Sequence, residues 1–472
     1  MIEFGTGGWR AIIGDGFTKA NIRLVAGALA RRMKEEGCEA QGIAIGYDRR
    51  FLSREAAIWF SEVMAGEGVF VRFVNLSCPT PLVMFTVKKL DLPYGAMTTA
   101  SHNPAIYNGI KLFTRGGRDA DKAFTDQIAA AANALDPESL RDIPFEKALA
   151  EGKIRFIDPR DDYLDSIMKQ IDMEAIRRRR PRIVLDPMFG VSLTGLQTIL
   201  FTARCDLDVI NDRHDAFFGR HLPAPNPDTL ADLQMAVREH NADLGIATDG
   251  DADRLGVIDE KGRYVSANET LALLYSYLLE YRGWRGPVVR NVATSHLLDR
   301  IAAHWGQECI EVPVGFKYIS AGMEAHGAVI GGESSGGLTV RGHIAGKDGL
   351  YAASLLVEMV CRSGKSLSAL VEDMYERYGR CAVTERDYAL TPERKEAILR
   401  LLMEEKRLPD FGRAVARVSY VDGCKVYFER DAWVIARPSG TEPRIRVFAE
   451  AETGEEANRL ADRMEAFIGV GE

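Results

Sequence analysis

The chain is short of cysteine pairs: its seven cysteines stand singly at positions 38, 78, 205, 309, 361, 381 and 424, and no C-x-x-C occurs. That scatter speaks against a disulfide framework and a zinc site, and predicts reduced, structural thiols. Long apolar runs are also missing. The most hydrophobic helical stretch, Leu271 to Leu279 (LALLYSYLL), is too short to span a bilayer. The Met-Ile-Glu-Phe start has neither the basic segment nor the apolar stretch of a secretory leader, so the expected location is cytoplasmic, with no membrane partner. Nor is there an excess of positive charge. A net charge of −8 predicts no general attraction to nucleic acid, so any anion this chain binds must be held by local groups.

What is present is an ordinary globular composition, 46% hydrophobic and 27% charged over 472 residues, a length that suggests three or four domains. One basic run, Ile176 to Arg182 (IRRRRPR), ends a helix-like stretch just before a strand. Cations suit a helix C-terminus, so the run reads as a solvated face rather than a nucleic-acid patch.

A strand-helix-strand order occurs three times. GIAIGYD (42–48), SREAAIWFSEVMAGEG (53–68) and VFVRFVN (69–75) form the first unit. RIVLD (182–186), GVSLTGLQTILFTA (190–203) and DLDVIN (206–211) form the second, and PVVRNV (287–292), TSHLLDRIAAHWG (294–306) and CIEVP (309–313) the third. Such units build parallel sheets whose ligands sit beyond the carboxyl ends of the strands. From Arg417 to Ala451 strands alternate with tight turns before a last amphipathic helix. The expectation is three similar mixed-sheet α/β domains (1–155, 156–258, 259–370) and a C-terminal α+β domain (371–472).

Several loops carry chemistry. TTASHNP (98–104) places Ser101 beside His102, but adjacency does not make a hydrolase pair, because such chemistry needs contact in space. IATDGDADRLGVID (246–259) brings Asp249, Asp251 and Asp253 together between two strands. Their repulsion is ordinarily relieved by a hard cation, and magnesium fits a site with few oxygen ligands plus a phosphate. A bare turn is the plain alternative. A calcium loop would need glycine where Arg254 stands and helices on either side.

GGESSGG (331–337) offers Glu333 and Ser335, an acceptor and a hydroxyl suited to vicinal sugar hydroxyls. ARPSGTEPRIRV (436–447) offers Arg437, Ser439, Gly440 and Thr441, a set that can hold a phosphate monoester without metal. Arg10 in FGTGGWR is a candidate anion contact. Lys111 in YNGIKLF, with His343 and Lys347 in RGHIAGKDG, reads either as functional or as solvated.

Taken in order, FGTGGWR, TASHNP, DGDADR, GGESSGG and RPSGTEP make the chain resemble the α-D-phosphohexomutase family, which includes phosphoglucomutase and phosphomannomutase. The likeness covers essentially the whole chain. It implies a heart-shaped molecule with a central cleft, phosphate on Ser101, and Mg2+ held by Asp249, Asp251, Asp253 and that phosphate. It further implies Glu333 and Ser335 on the sugar, and Arg437, Ser439, Gly440 and Thr441 on the phosphate that is not reacting. Arg10, His102, Lys111 and Arg254 would line the transfer site, with Lys347 the candidate acid/base partner.

Mannose-active relatives often carry histidine where Gly337 stands, so the resemblance favours glucose. The implied activity interconverts hexose 1-phosphate and hexose 6-phosphate through a bisphosphate, with glucose 1,6-bisphosphate as primer. Hexose phosphates are the expected partners, in a monomer or homodimer. Other readings of the same residues are a phosphomannomutase or dual-specificity mutase, a bisphosphate synthase, a phosphoserine-type sugar phosphatase and a non-catalytic sugar-phosphate binder.

Overall fold

A computed structural model describes residues 1–5, 7–439 and 443–471. Its strands gather into four sheets. In the first, Ile43–Tyr47 lies parallel between Val71–Val74 and Tyr94–Thr98. In the second, Arg182–Asp186 lies parallel between Asp206–Val209 and Leu244–Thr248. In the third, Val288–Asn291 lies parallel between Cys309–Val312 and Ile330–Gly332. The crossovers include helices Ser53–Gly66, Leu193–Thr202 and Leu297–His304, so the three expected repeats exist. The central strand of each sheet is covered by helices and reads as a near-continuous apolar run for that reason.

Each sheet then adds an antiparallel strand after its third parallel one: Tyr107–Thr114, Leu255–Asp259 and Leu338–Val340. The three turns that make this reversal contain Ser101, the aspartate triplet and Glu333 respectively. Three loops distant in sequence therefore occupy one structural position, repeated in each domain.

The glycine-rich N-terminus forms a hairpin, Phe4–Gly5 with Gly8–Ile12, that extends the first sheet along Tyr107–Thr114. The fourth sheet is wholly antiparallel, with strands from Ala382–Ala389 to Arg444–Ala451, and helix Gly454–Ile468 packs on it. Among the described residues no helix is long and apolar enough to cross a membrane.

The domain limits drawn from sequence, 155/156, 258/259 and 370/371, fall inside strand Ile154–Ile157, strand Leu255–Asp259 and helix Leu367–Tyr378. Strand Ile154–Ile157 pairs with Val71–Val74 and so stays with the first sheet. Helix Leu367–Tyr378 buries Leu370, Val371 and Met374 in the core shared by the preceding domains. We place the joins in the turns beyond these elements.

One large core runs through the first three domains, with helices Ala267–Glu280 and Gly349–Ser363 at its centre. The fourth domain has its own core and meets the third through Val292, Ala293, Tyr427, Trp433, Ile435 and Phe448. Beside that apolar seam lies a buried charge network. Lys425 Nζ donates to Val292 O (2.7 Å) and Glu311 Oε2 (2.7 Å) and lies 3.0 Å from His296 Nε2, while Arg290 Nη1 donates to the same Glu311 oxygen (2.7 Å). Burial, then Arg290 and Lys425, lowers the His296 imidazole to about 4 despite the opposing pull of Glu311.

Candidate active site

The Ser101 loop closes onto the aspartate loop of the second domain. Ser101 Oγ donates to Asp249 Oδ2 at 2.7 Å and is 3.4 Å from His102 Nδ1, so its near partner is a carboxylate. Ser101 holds a left-handed backbone, φ 51°, with its N–H on Thr99 Oγ1 (2.8 Å). A Cβ added at Gly250 would come within 2.8 Å of Ser101 O, so the glycine permits the close approach of the two loops.

Asp249, Asp251 and Asp253 are fully or nearly fully buried, and one oxygen from each lies within 4.8 Å of the others. Lys111 Nζ bridges Asp251 Oδ2 (2.6 Å) and Asp253 Oδ2 (2.7 Å), and Lys347 Nζ reaches Asp253 Oδ2 at 3.0 Å. Thr80, which sequence reading passed over, donates from Oγ1 to Asp251 Oδ2 (2.5 Å). Its only prior signal was the Pro-Thr-Pro start of a helix. The remaining oxygens, Asp251 Oδ1 and Asp253 Oδ1, are buried with no hydrogen-bond partner among the described residues. Buried carboxylate oxygens left unpaired are costly, and a hard cation is the group that a cluster of this kind accommodates.

The electrostatics follow from this crowding. Burial, then Asp253 and Asp251, pushes the Asp249 carboxyl up to about 8. Burial alone would raise Asp253 too, but Lys111, Lys347 and Arg254 hold it well below the usual carboxylate range. Burial, then Arg254, Arg10 and Lys347, drives His102 well below the ordinary imidazole value, so it is neutral at pH 7. Arg10 Nη1 donates to Asn103 Oδ1 (2.5 Å), and Arg254 Nε stands 3.9–4.0 Å from Asp253 and Asp249. Arg10, Lys111, Arg254 and Lys347 thus surround the aspartates and favour an anion between them.

All four cations line a cleft of about 680 Å³, together with His102, Glu333, Ser335, Arg437 and Ser439. Glu333 Oε1 accepts from Asn291 Nδ2 and Gly315 N, both at 3.1 Å, which fixes the carboxylate at the cleft wall, while Ser335 is exposed. Arg437 Nε donates to Asp422 Oδ2 (2.9 Å), and that oxygen also accepts from Val314 N (2.8 Å) of the third domain. Gly440 and Thr441 lie outside the described residues. His343 turns away from this chemistry: Nε2 is 2.6 Å from Asp348 Oδ2, and its ring stacks on Tyr351 at 4.3 Å. A side chain at Gly337 would place its Cβ 2.2 Å from Lys347 Cδ, so the lysine runs through space that only glycine leaves open.

Family descriptions match the chain in sequence: phosphoglucomutase/phosphomannomutase alpha/beta/alpha domain I over residues 1–139, domain II over 161–262, domain III over 266–378, and the C-terminal domain over 384–467. The chain belongs to the phosphoglucomutase/phosphomannomutase family. It is 31% identical over 461 residues to a phosphoglucomutase/phosphomannomutase of Thermococcus kodakarensis, covering 97% of this chain and 96% of the other. It is 32% identical over 472 residues to a protein named probable phosphoglucosamine mutase of Methanothermobacter thermautotrophicus, covering 98% and 97%. A crystal structure named as a candidate phosphomannomutase from Thermus thermophilus superposes with a TM-score of 0.85 at 29% identity, over 99% of each chain. Members of this family are phosphohexomutases, isomerases that work by phosphoryl transfer, and this chain is an enzyme of that class.

Proposed function

We propose that the enzyme interconverts glucose 1-phosphate and glucose 6-phosphate through a phosphorylated Ser101 and a glucose 1,6-bisphosphate intermediate. The observation that carries this reading is the Ser101 hydroxyl on Asp249, inside a buried aspartate cluster ringed by four cations. Asp249, Asp251, Asp253 and the Ser101 phosphate would hold Mg2+, which when bound supplies neutralising charge to the transferring phosphoryl group.

In the first transfer a P–O bond to the sugar hydroxyl forms as the bond to Ser101 Oγ breaks. We assign Lys347 as the proton carrier: its ammonium gives a proton to Oγ, and the proton of the attacking hydroxyl replaces it. Arg10 and Arg254 stabilise charge on the phosphoryl oxygens, the larger part of what such a transfer needs. His102, in the same cleft, would contribute a hydrogen bond. The bisphosphate then reorients and returns its other phosphate to Ser101, with Glu333 and Ser335 holding the sugar hydroxyls in both orientations. Arg437 and Ser439, with Gly440 and Thr441, would hold the phosphate that is not reacting. Entry into the cycle needs Ser101 phosphorylated first, which glucose 1,6-bisphosphate would supply as primer. Seven unpaired cysteines suit work in a reducing cytoplasm.

The experiment is a set of parallel mutase assays on glucose, mannose, glucosamine and N-acetylglucosamine phosphates with magnesium and bisphosphate primer. Glucose should turn over fastest, and Ser101→Ala should abolish turnover. A faster rate on mannose or glucosamine phosphate would replace the substrate assignment. Net phosphate release rivalling isomerisation would replace the mutase with a phosphatase.

A further inference from the structure

We propose that Arg50 is a positioning residue for phosphoryl transfer, holding the Ser101 loop in the conformation that presents the serine hydroxyl to Asp249. The inference rests on the reading of Ser101 as the phosphate carrier. A residue with a Cβ does not settle at φ 51° unaided, so the surroundings must over-determine it.

The guanidinium of Arg50 is buried behind the loop. Its Nη2 donates to the carbonyls of Ser101 and Asn103, both at 2.6 Å, and its Nη1 donates to those of Pro104 (3.0 Å) and Tyr107 (3.2 Å). Three carbonyls of the reversal after Tyr94–Thr98 and one from the first residue of strand Tyr107–Thr114 thus converge on one planar group.

Asp48 orients that group. Its Oδ2 is 3.5 Å from Arg50 Nε and accepts from Thr99 Oγ1 (2.6 Å), while its Oδ1 accepts from Arg50 N (2.9 Å) and Ser53 Oγ (2.5 Å). Thr99 Oγ1 is the acceptor for Ser101 N. Both sides of the Ser101 backbone are therefore tied to one Asp48–Arg50 unit, the N–H through Thr99 and the carbonyl directly.

The guanidinium carbon, Cζ, lies over the ring of Phe218, 4.8 Å from its centroid, and Phe218 belongs to the second domain. Phe218, Gly219 and Arg220 are three successive left-handed residues, so this ring is also held by an unusual backbone. The Cβ position at Gly250 lies 3.5 Å from Phe218 Cε1 and 2.8 Å from Ser101 O. Guanidinium, ring and serine carbonyl meet at the back of the aspartate loop, where Arg50 can set the geometry of transfer without touching the sugar.

Lysine at position 50 would keep the charge but offers no planar fork to serve four carbonyls and no face to stack on a ring. The test uses the full chain, with Arg50→Lys, Thr99→Val and Ser101→Ala compared with the wild type. Melting curves establish folding, steady-state kinetics separate kcat from KM, mass spectrometry follows loading of Ser101 from glucose 1,6-bisphosphate, and 31P NMR reads the phosphoserine resonance.

A misplacement of about an ångström at a reacting atom costs roughly 100-fold in rate. Arg50→Lys should therefore lower kcat on that order, leave KM nearly unchanged, slow Ser101 loading in parallel and shift the 31P line. Thr99→Val should move the same readouts in the same direction by less, and it carries the test should Arg50→Lys not fold. Wild-type kcat with an unmoved 31P line in either folded variant overturns the inference. So does a loss explained wholly by unfolding, with the folded fraction fully active. If Ser101→Ala itself turns over, the carrier reading falls and takes this inference with it. If Ser101→Ala is dead while both other variants are active, only the Arg50 assignment falls.

Discussion

The two ends of the cleft are built differently. At the Ser101 end, Asp249, Asp251, Asp253 and Lys111 are all buried, and Lys111 touches two carboxylates at 2.6 and 2.7 Å. At the Arg437 end the outer arginine is wetter: Arg446, which lines the cleft, is 40% exposed and reaches Asp387 at 3.4 Å, while Arg437 itself is 11% exposed against Asp422. Buried pairs in fixed geometry hold atoms in place, whereas exposed pairs are screened and contribute little each. The contrast fits the two tasks proposed for the cleft. Bond exchange needs one arrangement of atoms, while the phosphate at the far end must be gripped in two sugar orientations.

This contrast can be broken from either side. The largest effect should come from Lys111→Met, which strips the bridging cation from two buried carboxylates. Breaking a buried pair typically costs about 3–5 kcal/mol. Melting without magnesium should show a loss of that size, and added magnesium should recover part of it. Equal losses with and without the ion would argue against a cation site at the triplet.

The next effect concerns the seat of the fourth domain. The folded-state value of His296 is about 4 against 6.5 for a free imidazole, so the unfolded chain binds the extra proton between those values. Stability is therefore kept above pH 6.5 and lost as pH falls toward 4. The full contribution is about 3 kcal/mol at 1.36 kcal/mol per pH unit. Denaturant titrations across that window should show the loss, and His296→Gln should flatten the slope.

Smaller again is Arg437→Ala. It should raise KM for glucose 1-phosphate about tenfold, about 1.4 kcal/mol of binding, with kcat much less affected, because the contact proposed for it is to the phosphate that does not react. Smallest is Arg446→Ala, whose exposed pairing predicts a change in KM of about twofold. A collapse of kcat in either variant would show that the far end is as exacting as the near one.

How legible this was in the sequence depends on the range of the contact involved. The three strand-helix-strand units could be read because strands such as Arg182–Asp186 are bounded apolar runs. The aspartate triplet could be read because its members are two residues apart. Arg50 could not: it follows Arg49 directly, and nothing local says which of the two turns inward toward Ser101, fifty-one residues on. Lys425 and Glu311 were missed for the same reason, since their partner lies on another domain. The N-terminal hairpin read as a glycine-rich turn because its pairing partner, Tyr107–Thr114, is nearly a hundred residues away. His343 shows the converse case. Its place in a loop rich in glycine left a chemical role open, yet its ring serves Asp348 at the head of helix Gly349–Ser363.

The space between Gly337 and Lys347 makes those two positions a single character with two states. A chain that gains a side chain at 337 must first withdraw the lysine stem that now lies 2.2 Å from where the new Cβ would go. One that loses the lysine leaves a gap that a larger residue at 337 can enter. Either substitution alone passes through a crowded or a hollow intermediate. The two positions therefore act as one packing unit, and a change at 337 should be made together with a change at 347.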